Sequence, residues 1–157
     1  KIMKDNKYIS LDEYFMGVAL LSSKRSKDPN TKVGACIVNT SKRIIGIGYN
    51  GFPFGCDDDE FPWEREGGFL DCKYPYVVHA EPNAILNSTM SLDNATLYVT
   101  LFPCHECAKL IIQSGIKEIV YMSDKYNGTE SDMASKRMLK AAGVKTRKMR
   151  EVELTIK

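Results

Sequence analysis

The chain is 157 residues long, 43% apolar and 27% charged, which predicts one globular domain over 1–157 with enough core to fold without disulfides. Its formal charge of only +2 gives no composition-level case for nucleic acid or an anionic membrane as a partner, because such binders carry a clustered basic excess. No apolar run nears the roughly 18 residues of a membrane span, and "KIMKDNKYIS" lacks the apolar centre of a signal peptide, so the expectation is a soluble, cytoplasmic protein.

"SLDEYFMGVALLSSKR" (10–25) sets Ser10 and Glu13 at capping-box spacing and repeats Leu11, Phe15, Val18 and Leu21 at helical intervals, which predicts a helix. "KVGACIVN" (32–39) and "RIIGIGYN" (43–50) are short β-rich runs joined by "TSK". They predict an antiparallel hairpin whose glycines let something approach the backbone closely. Residues 51–76, "GFPFGCDDDEFPWEREGGFLDCKYPY", follow neither period. So long a loop in a compact domain is functional or disordered, and its aromatics favour an ordered wall beside a substrate or effector. Its acid run "DDDE" reads as a solvated face.

From there helix and strand alternate. The pattern predicts a helix over 79–88, a strand "TLYVTL" (96–101), a helix over 104–114 closed by Gly115, a strand "EIVYM" (118–122), a helix over 130–141 closed by Gly143, and a strand "VKTRKM" (144–149). Such alternation is the mark of a parallel sheet covered by helices. The tail "REVELTIK" is a last strand or an unanchored end.

The chain has five cysteines and two histidines. An odd number of cysteines without a secretion signal argues against a disulfide framework and favours metal or redox chemistry for the close pair. Cys36, in "VGACIVN", reads as a buried, inert thiol, while Cys56 and Cys72 stay undecided. In "LFPCHECAKLI", Cys104 and Cys107 sit three apart at a helix start, so both sulfurs can face one ion where the helix end favours thiolates. Zinc takes four ligands, and a catalytic zinc keeps one position for water. His79 in "VVHAEPNAI", an apolar run that looks buried, is the natural third ligand because it also lies just after a strand-like run. Glu81, two residues on, is placed to move the proton of a water on the metal. A redox pair would leave His79 and Glu81 without a task, and a structural zinc would lack a fourth ligand, since His105 should point away from the cysteines.

"HAE" and "PCHEC" resemble the cytidine deaminase superfamily of zinc-dependent deaminases. More narrowly, "YFMGVALLSSKRSKDPNTKVGACIVN", "GIGYNGFPFGC", "KYPYVVHAEPNAI", "LFPCHECAKLIIQSGIKEIVYMSDKY" and "AGVKTRKM" resemble the deoxycytidylate (dCMP) deaminase family over most of residues 14–149. The resemblance implies an α/β fold of three layers, αβα, with a central five-stranded mixed sheet. It implies conversion of dCMP to dUMP and ammonia, with Zn2+ held by His79, Cys104 and Cys107 and protons moved by Glu81. It further implies a homo-oligomer, with a hexamer favoured, activation by dCTP and inhibition by dTTP, and Mg2+ accompanying a triphosphate effector.

The same resemblance sets Asn50 on the sugar, although the residue type alone also fits a turn. It places the Ala80 backbone N–H on the pyrimidine carbonyl and Tyr126 against the base. In "SSKRSKDPN" it makes Arg25 and Lys27 candidates for the 5′-phosphate, where the run by itself reads first as a solvated helix end. Pro82 stands where related sequences usually have leucine, and in a first helical turn it should alter packing without loss of activity. The competing readings are a deaminase that also takes dCTP, one that takes free nucleosides, and a zinc-stabilised binding module without turnover. Polynucleotide editing wants a basic groove that the charge does not suggest.

Overall fold

A computed structural model describes residues 1–157. Helix α1 (Leu11–Ser23) begins at the expected capping box. The Glu13 N–H donates to Ser10 Oγ at 3.1 Å and the Ser10 N–H to Glu13 Oε1 at 3.2 Å. Strands β1 (Gly34–Val38) and β2 (Ile44–Tyr49) form the antiparallel hairpin, with a register shift between Ile37 and Val38. After the long loop, which holds only one 3-10 turn (Phe69–Asp71), come α2 (Ala80–Asn87), β3 (Thr96–Leu101), α3 (His105–Ser114), β4 (Glu118–Ser123), α4 (Glu130–Ala141) and β5 (Lys145–Lys148).

The strands pair in the order β2-β1-β3-β4-β5. β1 runs antiparallel to both its neighbours, while β3, β4 and β5 are parallel, so the sheet is mixed as expected. Side chains alternate across it. Ala35, Ile37, Leu97, Val99 and Ile119 share one core with α2, α3 and α4 through Ala84, Ala108, Ile111 and Leu139. Cys36, Val38, Tyr98 and Val120 share the other with Phe15, Met16 and Ala19 of α1. Fully buried side chains such as Leu97, Ile111 and Ile119 each contribute about 1.5–3 kcal/mol. Helices on both faces make three layers.

What the hairpin glycines admit is the helices themselves. A Cβ on Gly34 would lie 1.8 Å from the Ala19 carbonyl oxygen of α1, and one on Gly48 would lie 2.4 Å from the Ala84 amide nitrogen of α2. Both helices therefore press backbone to backbone against the hairpin. Gly115 (φ 91) and Gly143 (φ 74) supply the left-handed stops after α3 and α4.

The tail after Lys148 is neither a strand nor loose at its root. The Met149 N–H donates to the Tyr121 carbonyl at 2.9 Å, and the Val152 N–H meets Met122 Sδ at 3.3 Å. Cys36 is fully buried, and burial pushes its thiol up to about 12, in keeping with an inert core residue. No helix is long and apolar enough to cross a membrane.

Candidate active site

Helices α2 and α3 pack side by side on one face of the sheet. His79 and Cys104 are the N-cap residues of these helices, each in extended backbone (φ −70, ψ 165 and φ −71, ψ 172), so each helix starts one residue later than the sequence pattern suggested. Cys107 follows in the first turn of α3. His79 Nδ1 lies 3.2 Å from Cys107 Sγ and 3.5 Å from Cys104 Sγ, and the three ligand atoms fall within 4.8 Å of one another. Bonds of ~2.0–2.1 Å to nitrogen and ~2.3 Å to sulfur at tetrahedral angles put such atoms about 3.6 Å apart. The trio therefore fits one zinc ion, and its donor set of one imidazole and two thiols is the right chemistry for it.

The two thiols share one proton unequally. Hydrogen bonding with Cys107, against the opposing effect of burial and with help from His79, holds the Cys104 thiol down at about 4. The same bond and its own burial push Cys107 well up. The Cys104 sulfur in turn raises the His79 imidazole. An ion bound by all three displaces these protons, so binding is coupled to proton release.

Glu81 occupies the second position of α2 and is 4% exposed. Burial raises its pKa, with the nearby His79 opposing. A carboxyl held in that state suits proton transfer in both directions. Pro82 takes the third helical position, where an N–H has no intrahelical acceptor and none is lost. His79 itself is exposed, so the run that looks apolar ends at an open site and not in core. His105 turns away from the trio as expected: Nδ1 contacts Ser131 Oγ at 2.8 Å and Nε2 contacts Glu106 Oε1 at 3.1 Å.

The trio opens on a cavity of about 360 Å³, within the size range of small-molecule sites. His79, Ala80, Glu81 and Cys104 line it, and Phe102, Tyr126 and Asn50 lie in its wall. Ala80 is the first residue of α2, so its N–H lacks an intrahelical partner.

Asn50 is 6% exposed and does not have a left-handed φ, which removes the turn alternative. Its Oδ1 accepts the Val33 N–H at 2.9 Å and its Nδ2 donates to the Thr31 carbonyl at 2.9 Å. The amide orientation is thereby fixed, leaving Oδ1 one free lone pair. A Cβ on the adjoining Gly51 would meet nothing within 4 Å. Close approach at that glycine is thus not forced by the protein.

The cavity wall does not include Arg25 or Lys27. Lys27 is drawn to Asp58 in an exposed ion pair, and the Arg25 guanidinium sits 6.0 Å over the Tyr49 ring. The cationic side chains that do line the cavity are Arg65 and Lys73 from the long loop. Lys73 pairs at 2.6 Å with Asp28, and the two are more than nine-tenths buried. Asp28 also accepts the Asn30 and Thr31 N–H groups at 2.8 and 3.1 Å. Sequence reasoning passed over this pair because its members lie 45 positions apart, each beside turn-forming residues that normally mark solvated chain. The loop itself is an ordered wall: the rings of Phe52 and Trp63 lie 4.1 Å apart, and Phe61 meets Tyr76 edge-on at 5.2 Å.

Residues 9–123 match the model of the cytidine and deoxycytidylate deaminase zinc-binding region. Deoxycytidylate deaminase of Mus musculus is 56% identical over 147 residues, covering 92% of this chain and 83% of its own. A probable deoxycytidylate deaminase of Drosophila melanogaster is 58% identical over 148 residues, covering 90% of this chain and 73% of its own. The crystal structure of dCMP deaminase from the cyanophage S-TIM5 in complex with dCMP and dUMP superposes with a TM-score of 0.71 at 30% identity, covering 88% of this chain and 96% of that one.

Proposed function

Because the chain belongs to the cytidine and deoxycytidylate deaminase family, we propose that its cavity takes dCMP and that His79, Cys104, Cys107 and Glu81 carry the reaction. The protein is a zinc-dependent hydrolytic deaminase, turning dCMP and water into dUMP and ammonia. The observation that carries this reading is the convergence of the His79, Cys104 and Cys107 ligand atoms within 4.8 Å in the cavity that the buried Glu81 also lines.

When bound, zinc supplies the Lewis acidity that makes water a nucleophile at neutral pH. Glu81 removes one proton from that water as oxygen adds to C4 of cytosine, and passes it to N3. Glu81 then moves the second proton to the C4 amine, the C4–N bond breaks, and ammonia leaves as the C4 carbonyl forms. The Ala80 N–H holds the pyrimidine carbonyl, and Asn50 holds the sugar hydroxyl through its fixed amide. Tyr126, half exposed at the cavity wall, closes over the base.

Regulation follows the same family reading. dCTP activates and dTTP inhibits, with Mg2+ on the triphosphate, through the segment "GYNGFPFGC" at the root of the long loop. The chain acts as one domain and as a homo-oligomer, a hexamer, in the cytoplasm. Exposed Phe54, Phe69 and Leu70 on that loop suit burial between copies. An ultraviolet assay of dCMP, dCTP, deoxycytidine and CMP, with and without dCTP or dTTP as effector, tests substrate and regulation together. Glu81→Gln is expected to keep bound zinc and lose about 10²–10⁴-fold in turnover. Turnover retained in that variant would end the mechanism.

A further inference from the structure

The charged side chains lining the cavity are Asp28, Glu81, Asp132, Arg65 and Lys73. Four of them are accounted for. Asp28 and Lys73 neutralise each other at 2.6 Å. Asp132 accepts the Gly128 N–H at 3.0 Å and pairs with Lys136, which also pairs with Asp124. Glu81 belongs to the chemistry.

Arg65 is different: it makes no ion pair and is exposed on the loop that walls the cavity. A guanidinium presents a planar fork of donors matched to phosphate oxygens, always charged at working pH. It comes from the same loop as Lys73, whose pairing neutralises Asp28, and its exposed neighbours Glu64 and Glu66 are not among the residues that line the cavity.

We propose that Arg65 grips the 5′-phosphate of the nucleotide and so selects nucleotide over nucleoside. This rests on the deaminase reading and names the residue behind its substrate preference. Arg65 is a binding residue: it meets the phosphate equally in ground and transition states, so its removal should raise KM and leave kcat.

The experiment compares Arg65→Ala with the unaltered zinc-loaded protein on dCMP and on deoxycytidine. The expected result is a KM for dCMP raised about 10- to 100-fold, the loss of a charge-assisted bond, with kcat and the KM for deoxycytidine within about twofold. Arg65→Lys, which keeps the charge and loses the fork, is expected to fall between. An unchanged KM for dCMP, or equal losses on both substrates, overturns the assignment while leaving dCMP deamination standing. Calorimetric binding of dUMP and deoxyuridine reads the same contact without turnover. Selective loss of dUMP affinity in Arg65→Ala supports the grip even if dCMP proves not to be turned over, and parallel loss of both ligands overturns it.

Discussion

Lys73 Nζ stands 2.6 Å from Asp28 Oδ2 inside the cavity wall, joining the segment that leads into His79 to the turn that supports Asn50. Removing one partner strands a buried charge, which typically costs about 3–5 kcal/mol. Lys73→Met is expected to lower stability by that amount in urea unfolding. The double variant Lys73→Met with Asp28→Asn should lose less than the sum of the singles, because the second change removes the orphaned charge. Additive losses would show that the two residues do not act as a pair.

Acid should weaken the fold through two carboxylates. Asp12 is held below its ordinary range chiefly by its hydrogen bond to Arg147. For Asp28, burial pushes upward but is outweighed by Lys73 and the Asn30 and Thr31 amides, so the net shift is also downward. A carboxyl whose folded pKa lies below its unfolded value of ~3.9 adds stability above that value and gives it up as pH falls through the folded one. The urea midpoint of the metal-loaded protein is expected to drop steeply below about pH 4. In Asp12→Asn the drop should be shallower, measured by circular dichroism.

Metal removal should cost both activity and stability. Dialysis against a chelator is expected to abolish ammonia release and lower the Tm, with stoichiometric zinc restoring both. Cys107→Ala leaves two ligands of three and is expected to copurify with far less zinc, read by atomic absorption. Full zinc content in that variant would place the ion elsewhere.

Gly48 links the hairpin to the site. A Cβ there would lie 2.4 Å from the Ala84 nitrogen and 2.6 Å from the Ala80 oxygen, and backbone atoms do not yield as a flexible side chain would. Gly48→Ala should push α2 outward, costing about 1–3 kcal/mol and moving His79 and Glu81 off the α3 cysteines. The expected readout is a lower Tm together with weakened zinc retention. A fall in Tm with zinc affinity unchanged would mean that α2 adjusts without moving its first residue.

Much of this was legible in the chain itself, for local reasons. Ser10 with Glu13, Gly115 and Gly143 mark helix ends by their own chemistry. "HAE" and "PCHEC" carry the reactive groups within a few residues of each other. The cationic lining of the cavity was not legible, because Arg25 and Lys27 cluster in sequence while Lys27 pairs with Asp58 and Arg25 lies over Tyr49. Arg65 and Lys73 are single cations, the first between Glu64 and Glu66, in an aperiodic loop whose course is set by ring contacts such as Phe52 with Trp63. The glycines of β2 were legible as sites of close approach, but a sequence cannot say that a helix is what approaches.

The helix starts also differ in a way that reaches beyond catalysis. α1 and α4 keep conventional hydroxyl caps in Ser10 and Thr129, whereas the side chains of His79 and Cys104, which start α2 and α3, do not cap their own helices, and the His105 N–H of α3 donates instead to Ser131 Oγ at 3.2 Å. Each missing cap forgoes about 1 kcal/mol. In the metal-free protein these two first turns should therefore fray soonest, and amide exchange there should slow once the ion is added. The ion then fastens the very helix ends that present its ligands.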